Sequence, residues 1–127
     1  MRRALPGLLA WMAERFPAAN SIAAPLVWAA ALVWGRALSS PGPVPLHPRD
    51  VAGAVAAVGF FLMLRVFDEH KDYAADCLTH PDRVLQRGLI TLRDLKAVGV
   101  VAVALQLGAS MVADGGAGPV TRAAPSQ

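Results

Sequence analysis

Three stretches without a single charge decide what this chain can become: Phe16 to Gly35, Val51 to Leu64 and Ala97 to Ala113. The first, twenty residues long, is enough by itself to cross the roughly 30 Å hydrocarbon core of a bilayer as a helix. The third, at seventeen, stands at the short limit for a span. The second, at fourteen residues, rises only ~21 Å, so its helix must run on past Leu64 or begin earlier, near Pro45, in order to cross. A soluble domain of 127 residues rarely carries three such runs, and 55% hydrophobic against 17% charged residues points the same way. The expected fold class is all-α, an integral membrane bundle of about three transmembrane helices.

The residues between the runs punctuate this plan. Met1 to Arg15 combines a basic start with Leu5, Leu8, Leu9, Trp11 and Met12, the pattern of an interfacial helix lying on the bilayer. A signal peptide fits less well, because Glu14 and Arg15 interrupt before any cleavage site and another apolar run follows at once. Asn20 and Ser21 are expected to cap the first spanning helix rather than to line a cavity, and Pro25 to kink it. Ser39 to Pro48 holds four prolines and a glycine and cannot be helical. Asp50 then suits the N-cap of the second helix, and His47 a solvated loop. His80-Pro81 should end that helix, since proline disfavours helix at the residue before it. Thr91-x-x-Asp94 is a capping box for the third helix, and Gly115-Gly116 marks its end. The domains expected are therefore an interfacial helix over 1–15, a membrane domain over 16–113 and a disordered tail over 114–127.

The formal net charge of +3 invites a nucleic-acid reading, but the cations gather beside membrane helices without interleaved aromatics, so no nucleic-acid partner is expected. With the N-terminus inside, nine cations fall on the inner side (Arg2, Arg3, Arg15, Arg65, Lys71, Arg83, Arg87, Arg93 and Lys96) and three on the outer (Arg36, Arg49 and Arg122). The positive-inside rule then places the acidic motif and its loop on the cytoplasmic side, and the expected location is the cell inner membrane. A lone Cys77 excludes an internal disulfide and reads as a bystander rather than a nucleophile.

Six of the nine carboxylates lie between residues 68 and 94. Asp68, Asp72 and Asp76 recur every four residues, so on a helix each advances ~40° and the three occupy a stripe of ~80° that also contains Arg65. Like charges four apart cost about 0.2–0.5 kcal/mol per pair, more where water is scarce, so the row calls for a compensating cation. Hard oxygen donors without a Cys or His cluster favour Mg²⁺. The competing reading is a solvated acidic face partnered by Lys71 and Arg65. Position at the end of a membrane helix favours function, because ionisable residues there are rarely incidental. Arg83 and Arg87, with Arg93 and Lys96, follow in what reads as a compact basic loop, suited to clamping a diphosphate with bidentate guanidinium bonds or simply to holding the loop in the cytoplasm.

At these residues the chain resembles the UbiA superfamily of intramembrane prenyltransferases, whose first aspartate-rich motif, N-D-x-x-D-x-x-x-D, closes the second helix and precedes a loop of the type R-P-L-P-x-G. Asp68-Glu69-x-x-Asp72-x-x-x-Asp76 matches with Asp for Asn and Glu for Asp, and Arg83-Val84-Leu85-Gln86-Arg87-Gly88 matches with both prolines lost. The resemblance implies that Asp68, Glu69, Asp72 and Asp76 bind Mg²⁺ and through it a polyprenyl diphosphate, that Arg83 and Arg87 contact the diphosphate directly, and that the prenyl group passes to an acceptor. It covers roughly residues 15–113, the first third of the family's fold. The family's second motif, D-x-x-x-D, has no counterpart after Asp94, where Asp114 is the only carboxylate. The chain is thus expected to be a truncated member, a half whose remainder lies on a second chain, or a degenerate relative. The alternative from another class is a non-catalytic membrane protein whose acidic motif binds cations or a partner's basic face. A metal-transporter fragment fits less well, since it would want its acids at mid-helix.

Overall fold

The computed structural model describes residues 4–113, and all regular structure in them is helical. Helix α1 runs Ala4–Arg15, α2 Ala18–Ser39, α3 Asp50–Thr79 and α4 Leu92–Ala113. The tail expected over 114–127, with Gly115-Gly116, lies outside the described residues, as do Arg2, Arg3 and Arg122. Helices α2, α3 and α4 are each long and apolar enough to cross a membrane. Their outward surfaces carry Ile22, Leu26 and Leu38 on α2 and Val100, Leu105, Leu107 and Met111 on α4, all mostly exposed. Apolar patches of that extent are untenable in water and ordinary against lipid, so the chain has the make-up of an integral membrane protein.

Helix α3 does what its short charge-free run requires: it continues past Leu64 for another fifteen residues, through the acidic motif to Thr79. Thirty residues give ~45 Å, matching a bilayer with its headgroup layers, so the acids stand at the end of the helix rather than at its middle. The break falls at His80, before Pro81. The third spanning helix opens on the expected capping box: Thr91 Oγ1 accepts from the Asp94 backbone N–H at 3.2 Å, and the Asp94 carboxylate accepts from the Thr91 N–H at 3.0 Å and its hydroxyl at 2.7 Å.

Several local expectations are corrected. Helix α2 starts after Pro17, with the Asn20 and Ser21 N–H groups bonded to the Pro17 carbonyl, so neither side chain caps it. It includes Pro25 and runs past Gly35, which carries Arg36 into its last turn. There Arg36 meets the Asp50 carboxylate with two parallel bonds of 2.6 and 2.7 Å and donates to the Pro45 carbonyl at 2.6 Å. Asp50 therefore clasps the α2–α3 hairpin and also accepts from the His47 N–H at 2.7 Å; Arg49 holds the N-cap position without a side-chain bond. His47 itself is exposed, as expected of the connector. Arg93 and Lys96 belong to the first turns of α4 rather than to the loop before it.

Helix α3 packs most extensively on α4 and less on α2. Small residues set the approach: at Gly53 a side chain would run into the indole of Trp28, and at Gly59 it would press on the Ala102 carbonyl of α4 at 3.2 Å. Trp28 is fixed in turn by its Nε1–H bond to the Asp50 carbonyl, 3.1 Å. The buried core sits at the motif end, not at mid-bilayer. Trp11 of α1, Val66 of α3, Leu95 of α4 and the loop residues Val84, Leu85 and Ile90 form one cluster, with Trp11 and Leu95 wholly enclosed.

Candidate functional site

The site is assembled where α1 crosses the loop between α3 and α4. Gly7 lies so close to the loop that a Cβ there would fall onto the Leu89 carbonyl oxygen, and the Glu14 carboxylate accepts from the Val84 N–H at 3.3 Å. The loop turns back at Gly88, whose φ of 73° is a conformation that side chains oppose. Val84 and Leu85 are buried in the core and anchor the loop, with half-buried Arg83 and exposed Arg87 flanking them.

The four motif carboxylates fall on one side of α3 but in two environments. Asp68 and Asp72 keep about half of their side-chain surface, 52% and 49%. Their nearest cations are sequence neighbours at long range: Arg65 Nη1 is 3.8 Å from Asp68, and Lys71 Nζ is 3.8 Å from Asp72. Glu69 and Asp76 face inward. Glu69 is 1% exposed and accepts a bond from Arg15 Nε at 2.5 Å, with Arg65 Nε a further 3.8 Å away. Asp76 accepts from Arg83 Nη1 at 2.5 Å and lies 3.9 Å from Arg15 Nη2. Arg15 thus touches both inward carboxylates, two turns apart on α3. Burying an unpaired carboxylate costs several kcal/mol, and the arginines are what make these two positions tenable.

The arrangement answers the call for a compensating cation in an unforeseen way. Arginines supply it for Glu69 and Asp76, one of them from α1, 54 residues away. Arg15 is the site residue that sequence reasoning missed; its only signal was a charge pair, Glu14-Arg15, closing an otherwise apolar helix. Arg83, expected at a diphosphate, is held by Asp76, whereas Arg87 is exposed and has no acidic partner within 4.0 Å among the described residues. No three His, Cys, Asp or Glu side chains gather into a metal-holding group among the described residues. Asp68 and Asp72, four apart and half-exposed, are the two motif carboxylates not taken up by a close arginine.

A cavity of about 400 Å³ opens beside Asp68, between α2 and α3. Phe16, Ala24, Val27 and Phe61 form its apolar wall, and Asn20, Arg65 and Asp68 bring polar groups to it. Asn20 thus takes the cavity-lining role that was the lesser alternative to a cap. Comparison with family models, with curated proteins and with solved structures finds no match for this chain.

Proposed function

We propose that the chain carries the donor-binding half of a prenyltransferase site of the UbiA type, binding a polyprenyl diphosphate with Mg²⁺ at the acidic end of α3. The observation that carries this reading is the cavity between α2 and α3, where an apolar wall meets Asp68, Arg65 and Asn20. That distribution suits a ligand with an apolar tail and a charged head. Asp68 and Asp72 are the carboxylates that would hold the metal. A metal held there would supply positive charge to a diphosphate leaving group. Arg65 at the cavity and Arg87 on the loop supply guanidinium donors to the phosphate oxygens. Glu69, Asp76 and Arg83 join only by exchanging their present partners, carboxylates to the metal and guanidinium to the phosphate. The apolar wall keeps water from the prenyl chain. On this reading a second acidic cluster, which residues 4–113 do not supply, is needed for prenyl transfer to an acceptor.

In this reading α1 rests on the inner face of the cell inner membrane, with exposed Leu5 and Leu9 in the interface and the motif loop in the cytoplasm. A second reading is favoured by the arginine pairing of Glu69 and Asp76: a non-catalytic membrane protein whose acidic motif fastens α1 and the loop to α3. Isothermal titration in detergent separates the two. Under the first, Mg²⁺ raises affinity for a polyprenyl diphosphate and Asp68→Ala or Asp72→Ala removes most of that gain, leaving magnesium-independent partitioning of the tail. Under the second, Mg²⁺ adds nothing and the alanine variants bind as well as the parent or better.

A further inference from the structure

A second cavity, of about 500 Å³, lies on the opposite flank of α3, against α4, and the donor-site reading does not use it. Its walls are Met63, Val66 and Phe67 of α3 and Val100 and Val103 of α4. The two helices run antiparallel here, with Val66 against Gly99, where a Cβ would sit 3.3 Å from the Val66 methyl. The missing side chain at Gly99 helps to leave the groove open. It extends from Met63 to His70, seven residues or ~10 Å along α3, which places one end at the level of the motif and the other toward the membrane interior.

Polar groups occur at the motif end alone. The His70 ring is taken up by backbone, with Nδ1 2.8 Å from the Val66 carbonyl and Nε2 3.2 Å from the Leu92 carbonyl, so it closes the rim rather than facing a ligand. Lys96 is the remaining polar lining residue, exposed and with no carboxylate within 4.0 Å among the described residues. Arg93, one turn earlier on α4, is likewise exposed and unpaired among them. Asp94, the nearest acid in sequence, is spent on the Thr91 capping box. The result is an apolar trough with net positive charge at one mouth, at the depth where a bilayer keeps its phosphates.

We propose that the α3–α4 groove is a binding site for one anionic phospholipid, with an acyl chain along Val66, Phe67, Val100 and Val103 and the headgroup phosphate at Lys96 and Arg93. Clusters of basic residues between membrane helices recognise anionic headgroups in this manner, and an apolar lipid chain gains by dispersion contact with a preformed trough. An apolar helix packed here would leave Lys96 and Arg93 without counter-charge, whereas an anionic lipid headgroup neutralises them.

Native mass spectrometry of the full chain in detergent, titrated with phosphatidylglycerol or phosphatidylcholine of identical chains, tests this. One phosphatidylglycerol should be retained at least about fivefold more tightly than phosphatidylcholine, fivefold being the effect of one of the two cations beside an anionic lipid. Lys96→Gln should lower the preference, and Lys96→Gln with Arg93→Gln should erase it while leaving retention of both lipids at the phosphatidylcholine level. Val100→Trp, at a position 70% exposed and so tolerant of the larger side chain, should fill the trough and abolish one-to-one retention of either lipid. Equal retention of the two lipids by the parent would overturn the proposal, as would a preference unaffected by Lys96→Gln. A lipid-free dimer as the main species would assign the groove to a second copy and overturn it too.

Discussion

Replacing Arg15 by Met keeps most of the side chain's volume and removes the guanidinium that Glu69 depends on. Removing one partner of a fully buried ion pair costs ~3–5 kcal/mol, most of it the penalty of leaving the other charge unpaired. Two features of this pair lower the figure. Arg15 keeps 16% of its side-chain surface, so water reaches its end of the pair, and Arg65 Nε at 3.8 Å remains near the stranded carboxylate. A loss of about 2–3 kcal/mol is therefore expected for Arg15→Met. Glu69→Gln removes the charge but keeps an oxygen to accept from Arg15, and should cost about 1 kcal/mol. The double variant leaves no stranded charge and should lie within ~1 kcal/mol of the parent, giving a favourable coupling of roughly 2 kcal/mol. Reversible unfolding in mixed micelles, followed by tryptophan fluorescence, measures all three, since Trp11 is wholly buried beside the pair. An Arg15→Met variant within ~0.5 kcal/mol of the parent would refute the reasoning, as would a double variant no better than Arg15→Met alone.

Gly7→Ala should destabilise by about 1–3 kcal/mol and loosen α1, because its methyl meets the Leu89 carbonyl with no side chain able to yield; Leu9→Ala, at a 62% exposed position, is the control and should cost under ~0.5 kcal/mol, both read from the same unfolding curves. In a Cys77→Ser background, a cysteine at Asp82 should be shielded from impermeant reagent added outside cells and one at Pro43 should label; the reverse pattern would invert the orientation inferred from the charge asymmetry.

How far the sequence carries the structure depends on whether the deciding interaction is local. The capping box at Thr91 and Asp94, the break at His80-Pro81 and the extension of α3 beyond Leu64 each follow from one segment and its solvent, and each is found. The three spanning helices follow from charge-free length in the same way. The sorting of the acidic motif is of another kind. Helical spacing puts Asp68, Glu69, Asp72 and Asp76 within an arc of ~100°, too narrow for periodicity to say which face inward. Arg15, on a helix remote in sequence, decides it by giving Glu69 a partner that makes burial affordable, and no pattern within residues 65–88 announces that. The Arg36–Asp50 clasp was hidden for a similar reason: Arg36 looked like the loop residue beyond a span, and only the extra turn of α2 brings it to Asp50.

On the proposed donor-site reading the acidic motif divides by environment, with Asp68 and Asp72 open to a divalent cation and Glu69 held by Arg15. Electron paramagnetic resonance of Mn²⁺, standing in for Mg²⁺, titrated into the chain in nanodiscs with a polyprenyl diphosphate present, tests this most directly. The division predicts that free Mn²⁺ signal is lost on binding to the parent and to Glu69→Gln alike, and that Asp68→Asn and Asp72→Asn each weaken binding at least tenfold. Binding that survives both aspartate substitutions but disappears in Glu69→Gln would contradict it.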